Sequence, residues 1–129
     1  METRVFIVDD TASVRAALQT LIAEIEGVEL VGYADEADTA LRAIADLQPD
    51  LVILDIRLRR GHGIDVLEQI KKSDAAPQVI VLTSFPFPQY RERCLAAGAD
   101  YFFDKSNEFD RITGVLSRKA SPPDRSSTS

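Results

Sequence analysis

Cysteine is nearly absent from this 129-residue sequence: its one copy, Cys94, has no partner, which excludes an intramolecular disulfide. No histidine is patterned beside it as a base, so Cys94 reads as a small apolar residue on a helix. Histidine is equally scarce. The single copy, His62, lies in the loop Arg59-Arg60-Gly61-His62-Gly63 and reads as a solvated residue with no role. A basic excess is also missing. The 15 basic and 21 acidic residues give a net charge of −6, which argues against direct nucleic-acid binding, because a surface that tracks phosphates needs positive charge. No N-terminal apolar stretch is long enough for a signal peptide or a membrane span, so a cytoplasmic protein without membrane insertion is expected. There is no internal repeat. What remains, 45% apolar residues in a chain of this length, is enough for one core and one domain. A second domain of ordinary size does not fit, so any output module is expected elsewhere and the partner is expected to be a protein.

Five short apolar runs occur in order: Val5 to Val8, Val28 to Ala34, Leu51 to Leu54, Val79 to Leu82 and Tyr101 to Phe103. Between them lie stretches with helical spacing, clearest at Val14, Ala17, Leu18, Leu21, Ile22 and Ile25, then at Ala37, Leu41, Ile44 and Ala45. This alternation predicts an α/β domain with a parallel sheet. The first, third and fourth runs are continuously apolar, as strands covered by helices on both faces are, so the sheet should be doubly wound. Gly27 should end the first helix, Gln48-Pro49-Asp50 the second, and Gly98 the helix that begins near Pro88. A last helix is expected after Ser106, with Phe109, Ile112 and Leu116 facing inward. From about Ser117 the composition turns Ser- and Pro-rich; the domain is placed at residues 1–119 and a disordered tail at 120–129.

Ligands of a parallel α/β sheet bind beyond the carboxyl ends of the strands, so the polar residues that terminate the apolar runs matter most. The first run ends in Asp9-Asp10, the third in Asp55 and the fourth in Thr83; the fifth is followed by Asp104-Lys105. Any one of these alone is an ordinary way to leave a strand. Together they can converge at one edge. Two like charges 4 Å apart repel by about 1 kcal/mol in water-like surroundings and about 4 kcal/mol at an effective dielectric of 20, so three clustered carboxylates need positive charge. Lys105 supplies one. An all-oxygen set without His or Cys further suits a hard dication, with Mg²⁺ the leading choice. A carboxylate beside Mg²⁺, an ammonium and a threonine hydroxyl make a site fit for phosphoryl transfer, where positioning and charge neutralisation do most of the catalysis. Asp55 is the natural acceptor, and charge arriving there would be felt by Thr83 and its loop.

The motifs VFIVDD, LVILDIRLRRGHGIDVL, VIVLTS and AAGADYFFDKS resemble the receiver domain of two-component response regulators from about Arg4 to Leu116, of the stand-alone single-domain type. The resemblance implies a flavodoxin-like (βα)5 fold with strand order 2-1-3-4-5. It implies that Asp10 and Asp55 bind Mg²⁺ directly, that Asp9 assists through water, and that the Arg57 main-chain carbonyl completes the protein ligands. It further implies that Asp55 takes its phosphoryl group from a sensor histidine kinase or phosphotransfer protein. Thr83 and Lys105 match the family's switch hydroxyl and phosphate-binding lysine, and Phe102 its switch aromatic; Phe102 read on its own is equally a core residue of the fifth strand. The surface around the fourth and fifth helices would then change for a downstream effector protein or a phosphorylation-dependent homodimer. Slow autodephosphorylation would be the only turnover, so the protein is not classed as an enzyme.

Two positions depart from the family pattern. Arg59 and Ser106 stand where many receivers have proline, and a cis bond before Ser106 would cost about 2.5–4 kcal/mol. Arg57 and Phe85 occupy positions where the family tunes hydrolysis of the acyl phosphate. Arg57, Arg59 and Arg60 read either as a dock for an acidic partner or as a solvated loop that softens the acidic surroundings. Phe87 and Tyr90 read either as exposed partner contacts or as core. The competing functions are a phosphorylation-independent binding module of the same fold and an aspartyl-phosphate phosphatase. The second lacks support, because haloacid-dehalogenase-type enzymes resemble a DxD pattern and Asp55 is followed by Ile56-Arg57.

Overall fold

The computed structural model describes residues 2–120. Strands β1 (Thr3–Val8), β2 (Val28–Ala34), β3 (Leu51–Leu54), β4 (Gln78–Thr83) and β5 (Tyr101–Asp104) alternate with helices α1 (Ala12–Ala23), α2 (Ala37–Leu47), α3 (Gly63–Ile70), α4 (Pro88–Ala96) and α5 (Arg111–Ala120). All strand pairs are parallel, in the order β2-β1-β3-β4-β5, so the expected flavodoxin-like sheet is present with β3 at its centre.

Successive strand side chains point to opposite faces, and here both faces are buried. Phe6, Val8, Val52, Leu54, Val79, Val81 and Phe102 pack with Ile44 of α2, Leu67 of α3 and Cys94 of α4. Val5, Ile7, Leu51, Ile53, Ile80, Leu82 and Phe103 pack on the other side with Leu18 and Ile22 of α1 and Ile112 and Leu116 of α5. The apolar runs are continuous for this reason: every position meets a helix. Cys94 is a packing residue as expected, and burial pushes its thiol up to about 11.

Element ends follow local chemistry. Gln48 takes the left-handed conformation (φ 49°) after α2, and Arg4 Nη1 donates to the Leu47 and Gln48 carbonyls at 2.6 and 3.1 Å, satisfying groups the helix end leaves open. Two helix boundaries differ from the periodicity. The first helix ends at Ala23, and a turn carries the chain on to Gly27 at φ 85°. The last begins at Arg111, later than expected, because Asp104 organises a turn first: its carboxylate accepts from Ser106 N–H and Asn107 Nδ2, and its carbonyl accepts from Glu108 N–H. Phe109 therefore packs from the turn, whereas Ile112 and Leu116 pack from the helix. At its other end α5 continues through Ser117-Arg118-Lys119 to Ala120, one residue beyond the expected domain end at 119, with Val115 and Leu116 anchoring it to the core. Residues 121–129 of the expected tail lie outside the described residues. No described helix is long and apolar enough to cross a membrane.

Candidate functional site

Sheet register brings the polar strand ends together. Asp9 N–H donates to the Ala34 carbonyl of β2, Asp55 N–H to the Val8 carbonyl of β1, and Lys105 N–H to the Thr83 carbonyl of β4. Asp9, Asp55 and Lys105 are thus the first residues beyond their strands, held by the last hydrogen bonds of the ladder. Thr83 ends β4 itself. Because β3 is central, Asp55 stands between the β1 carboxylates and Thr83.

Lys105 reaches back across this edge: its Nζ lies 2.8 Å from Asp55 Oδ2 and 2.9 Å from Asp9 Oδ2. Asp9 and Asp55 are 2% and 5% exposed, whereas Asp10 faces solvent. Burial raises the Asp55 carboxyl above its ordinary value, against the opposing pull of Lys105. Burial alone would lower Lys105, but its hydrogen bonds to Asp55 and Asp9 raise it, so it remains an ammonium at neutral pH. One ammonium, paired with Asp9 and Asp55, serves a cluster of three carboxylates that each place an oxygen within 4.8 Å of the other two.

The hydrogen bonding in this cluster leaves acceptors under-used. Asp9 Oδ1 receives Thr11 N–H at 2.8 Å, but Asp55, whose Oδ2 is taken by Lys105, has on Oδ1 a long 3.4 Å contact from Arg57 N–H, and Asp10 has a 3.4 Å contact from Thr11 Oγ1. An acid cluster with excess negative charge and spare oxygen lone pairs fits a hard dication, and nothing in the donor set favours a soft one. Asp9, Asp10 and Asp55 converge as the sequence predicts. Arg57 is exposed, and its side chain leaves the cluster: the guanidinium stacks on Phe85, 4.4 Å from the ring centroid. Thr83 is fully buried and its Oγ1 accepts Phe85 N–H at 2.9 Å, which leaves the hydroxyl proton free to donate elsewhere. Phe102 is inward, 5% exposed, beneath the Arg91 guanidinium at 5.7 Å. The Lys105–Ser106 bond is trans.

Around the cluster, the aromatic loop divides: Phe87 is 50% exposed, whereas Tyr90 packs against the core and meets Phe87 with the rings tilted, centroids 5.9 Å apart. Arg59 and Arg60 pair with Asp35 and Glu36. Sequence reading overlooks Arg15, whose Nη1 donates to the Asp9 carbonyl at 2.8 Å while its guanidinium lies 4.7 Å from the Tyr33 ring centroid. Its place on α1 carries no motif that would single it out. Glu36 and Asp35 are overlooked likewise, because their partners are remote in sequence.

The sequence matches the family described as response regulator receiver domain over residues 5–117. It is 34% identical over 113 residues to the uncharacterized transcriptional regulatory protein YvfU of Bacillus subtilis (strain 168), covering 88% of this chain and 56% of that protein. The chain thus spans about half the length of that relative. In structure it resembles the response regulator domain of Thermotoga maritima CheB, with a TM-score of 0.81, 27% identity, and coverage of 93% of this chain and 94% of that one. It also resembles a chain of the CheX-CheY-BeF3-Mg+2 complex from Borrelia burgdorferi, with a TM-score of 0.76, 26% identity and 88% of each chain covered.

Proposed function

The chain belongs to the response regulator receiver domain family, and from that premise we propose that it is a phosphorylation switch of a two-component phosphorelay, with Asp55 as the acceptor. The observation that carries this reading is the pair of contacts from Lys105 Nζ to Asp55 and Asp9, which sets a buried carboxylate beside a fixed positive charge and two further acids. A carboxylate oxygen of Asp55 attacks the phosphorus of a partner's phosphohistidine; the P–N bond breaks and the imidazole leaves with its electron pair. Lys105, already at hydrogen-bonding distance, neutralises the phosphoryl oxygens as negative charge collects there. Mg²⁺, held by Asp10, Asp55 and the Arg57 carbonyl with Asp9 as an outer acid, would supply the remaining charge neutralisation; the Borrelia complex contains Mg²⁺. The Thr83 hydroxyl donates its free proton to a phosphoryl oxygen. That draws the Thr83–Phe85 turn inward, and Phe102, whose ring already lies inward against α4, is the switch aromatic of this movement.

In this reading the protein is a cytoplasmic phosphoacceptor rather than an enzyme with substrate turnover. Its donor is a sensor histidine kinase or phosphotransfer protein, and its output goes to an effector protein or a second receiver at the face of α4 and α5. The test is intact mass after incubation with acetyl phosphate, for the wild type and Asp55→Ala, with Mg²⁺ or EDTA. One added phosphoryl group in the wild type with Mg²⁺ alone supports the reading. Equal gain in Asp55→Ala would overturn the acceptor, and equal gain in EDTA would overturn the metal requirement.

A further inference from the structure

The loop between β3 and α3 is fixed at both ends. Gly63 N–H donates to the Ile56 carbonyl at 2.6 Å, and a Cβ on Gly63 would fall 1.9 Å from the Asp55 carbonyl oxygen, so the loop closes directly against the backbone of the acceptor. Its far side is strapped to the turn between β2 and α2. Ala37 N–H donates to the Arg60 carbonyl at 2.9 Å, and Glu36 and Arg60 form a parallel bridge. Arg59 Nη2 lies 2.8 Å from Glu36 Oε2 and 3.3 Å from Asp35 Oδ2, while Arg60 Nε lies 3.6 Å from Glu36 Oε2. Gly61, at φ +85°, lets the loop lie flat, since a Cβ there would fall 2.5 Å from Ala37 Cβ. The strap is therefore built from side chains, a main-chain hydrogen bond and a glycine, and it joins the second strand's exit to the segment that carries Arg57.

Building on the reading of Asp55 as a phosphoacceptor beside a divalent cation, we infer that Glu36 is a positioning residue: through Arg59 and Arg60 it holds the β3–α3 loop in the conformation that binds the cation. Exposed ion pairs are weak one by one because water screens them, so the strap contributes little to global stability. The choice between loop conformations is itself a small free-energy difference, and a few weak contacts decide it. When the binding-competent conformation is only partly populated, apparent affinity falls in proportion to its population. Direct outer-shell partners of metal ligands change metal affinity by about 10–100-fold. An exposed strap one step further out should change it less, by about three- to tenfold on the same scale.

Charge signs separate this role from simple electrostatics. Removing the negative charge of Glu36 weakens cation binding through space, whereas removing the positive charge of Arg59 strengthens it. A positioning strap makes both variants weaker. The experiment is calorimetric titration of MgCl₂ into the unphosphorylated full chain, for wild type, Glu36→Gln, Arg59→Gln and the double variant, with thermal melts in EDTA alongside. Both single variants should bind Mg²⁺ about three- to tenfold more weakly, and the double variant no more weakly than the worse single one, because the two act through one contact. Melting temperatures in EDTA should agree within about 2 °C, as for exposed pairs. Unchanged or tighter binding by Arg59→Gln overturns the inference. So does an EDTA melting loss that accounts for the affinity loss, since the strap would then hold the fold rather than the loop. Failure of the wild type to bind Mg²⁺ overturns the metal reading beneath it.

Discussion

Replacing Asp10 by asparagine should stabilise the metal-free protein and remove most of its response to Mg²⁺. The carboxylate oxygens of Asp9, Asp10 and Asp55 lie within 4.8 Å of one another. At that separation each like-charge pair costs about 1 kcal/mol in water-like surroundings, the appropriate limit for solvent-facing Asp10. Asp10→Asn removes two such repulsions; the Lys105 ammonium, which pairs with Asp9 and Asp55, offsets part of them, and a net gain of about 1 kcal/mol is expected. For a domain of this length that raises the melting temperature by about 4 °C. In Mg²⁺ at about ten times Kd, binding to the folded wild type adds about 1.4 kcal/mol, or roughly 5 °C, so the gap should close. The assay is thermal unfolding followed by circular dichroism, in EDTA and in MgCl₂, with low salt in both so that screening does not mask the repulsion. A variant that melts below the wild type in EDTA would refute the clustering of charge. Equal Mg²⁺ shifts in the two proteins would refute the role of Asp10 as a ligand.

Lys105→Met should destabilise the metal-free protein by about 3–5 kcal/mol, because it leaves the buried carboxylates without their cation. The raised pKa of Lys105 fixes the pH sign: its contribution is fully present below the ordinary value of 10.5 and is lost as pH rises through the higher folded value. Urea titrations should therefore show the gap between wild type and variant holding from neutral pH upward and shrinking in strong alkali as Lys105 loses its proton, and shrinking in acid as the Asp55 carboxyl, raised by burial, takes one up. Gly63→Ala and Gly114→Ala should have opposite effects. The first puts a Cβ 1.9 Å from the Asp55 carbonyl and should cost about 3 kcal/mol or more, whereas the second meets only the flexible end of Arg118 at 3.4 Å on α5 and should gain about 0.5–1 kcal/mol, both read as urea midpoints. Arg57→Ala and Phe85→Ala each break a stack that joins the two loops flanking Asp55. A contact of this kind is worth about 0.5–1 kcal/mol, so either variant should shorten the acyl-phosphate lifetime by about two- to fivefold, measured as loss of the phosphorylated mass with time. An unchanged lifetime would show that the stack does not shield the acceptor.

Much of this protein is legible in its sequence because the chemistry is local. Continuous apolar runs such as Leu51–Leu54 and Val79–Leu82 announce strands covered on both faces, and a parallel sheet gathers the residues that end those runs at one edge. Asp9, Asp10, Asp55, Thr83 and Lys105 therefore stand out as a set in the sequence itself. The fold class follows from the same alternation.

Tertiary structure decided what depends on partners remote in the chain. The late start of α5 turns on the competition between Asp104's carboxylate and helix nucleation, and its extension to Ala120 on anchoring by Val115 and Leu116. The place of Phe102 in β5 does not fix its surroundings; the packed chain puts it inward, under Arg91. The contacts of the β3–α3 loop arginines are set by the fold: Arg57 lies on Phe85 while Arg59 and Arg60, still exposed, meet Asp35 and Glu36. A sequence records the type and spacing of each residue, which suffices where the backbone period alone sets direction. Where a side chain is long and several partners lie within its reach, only the packed chain shows which one it meets.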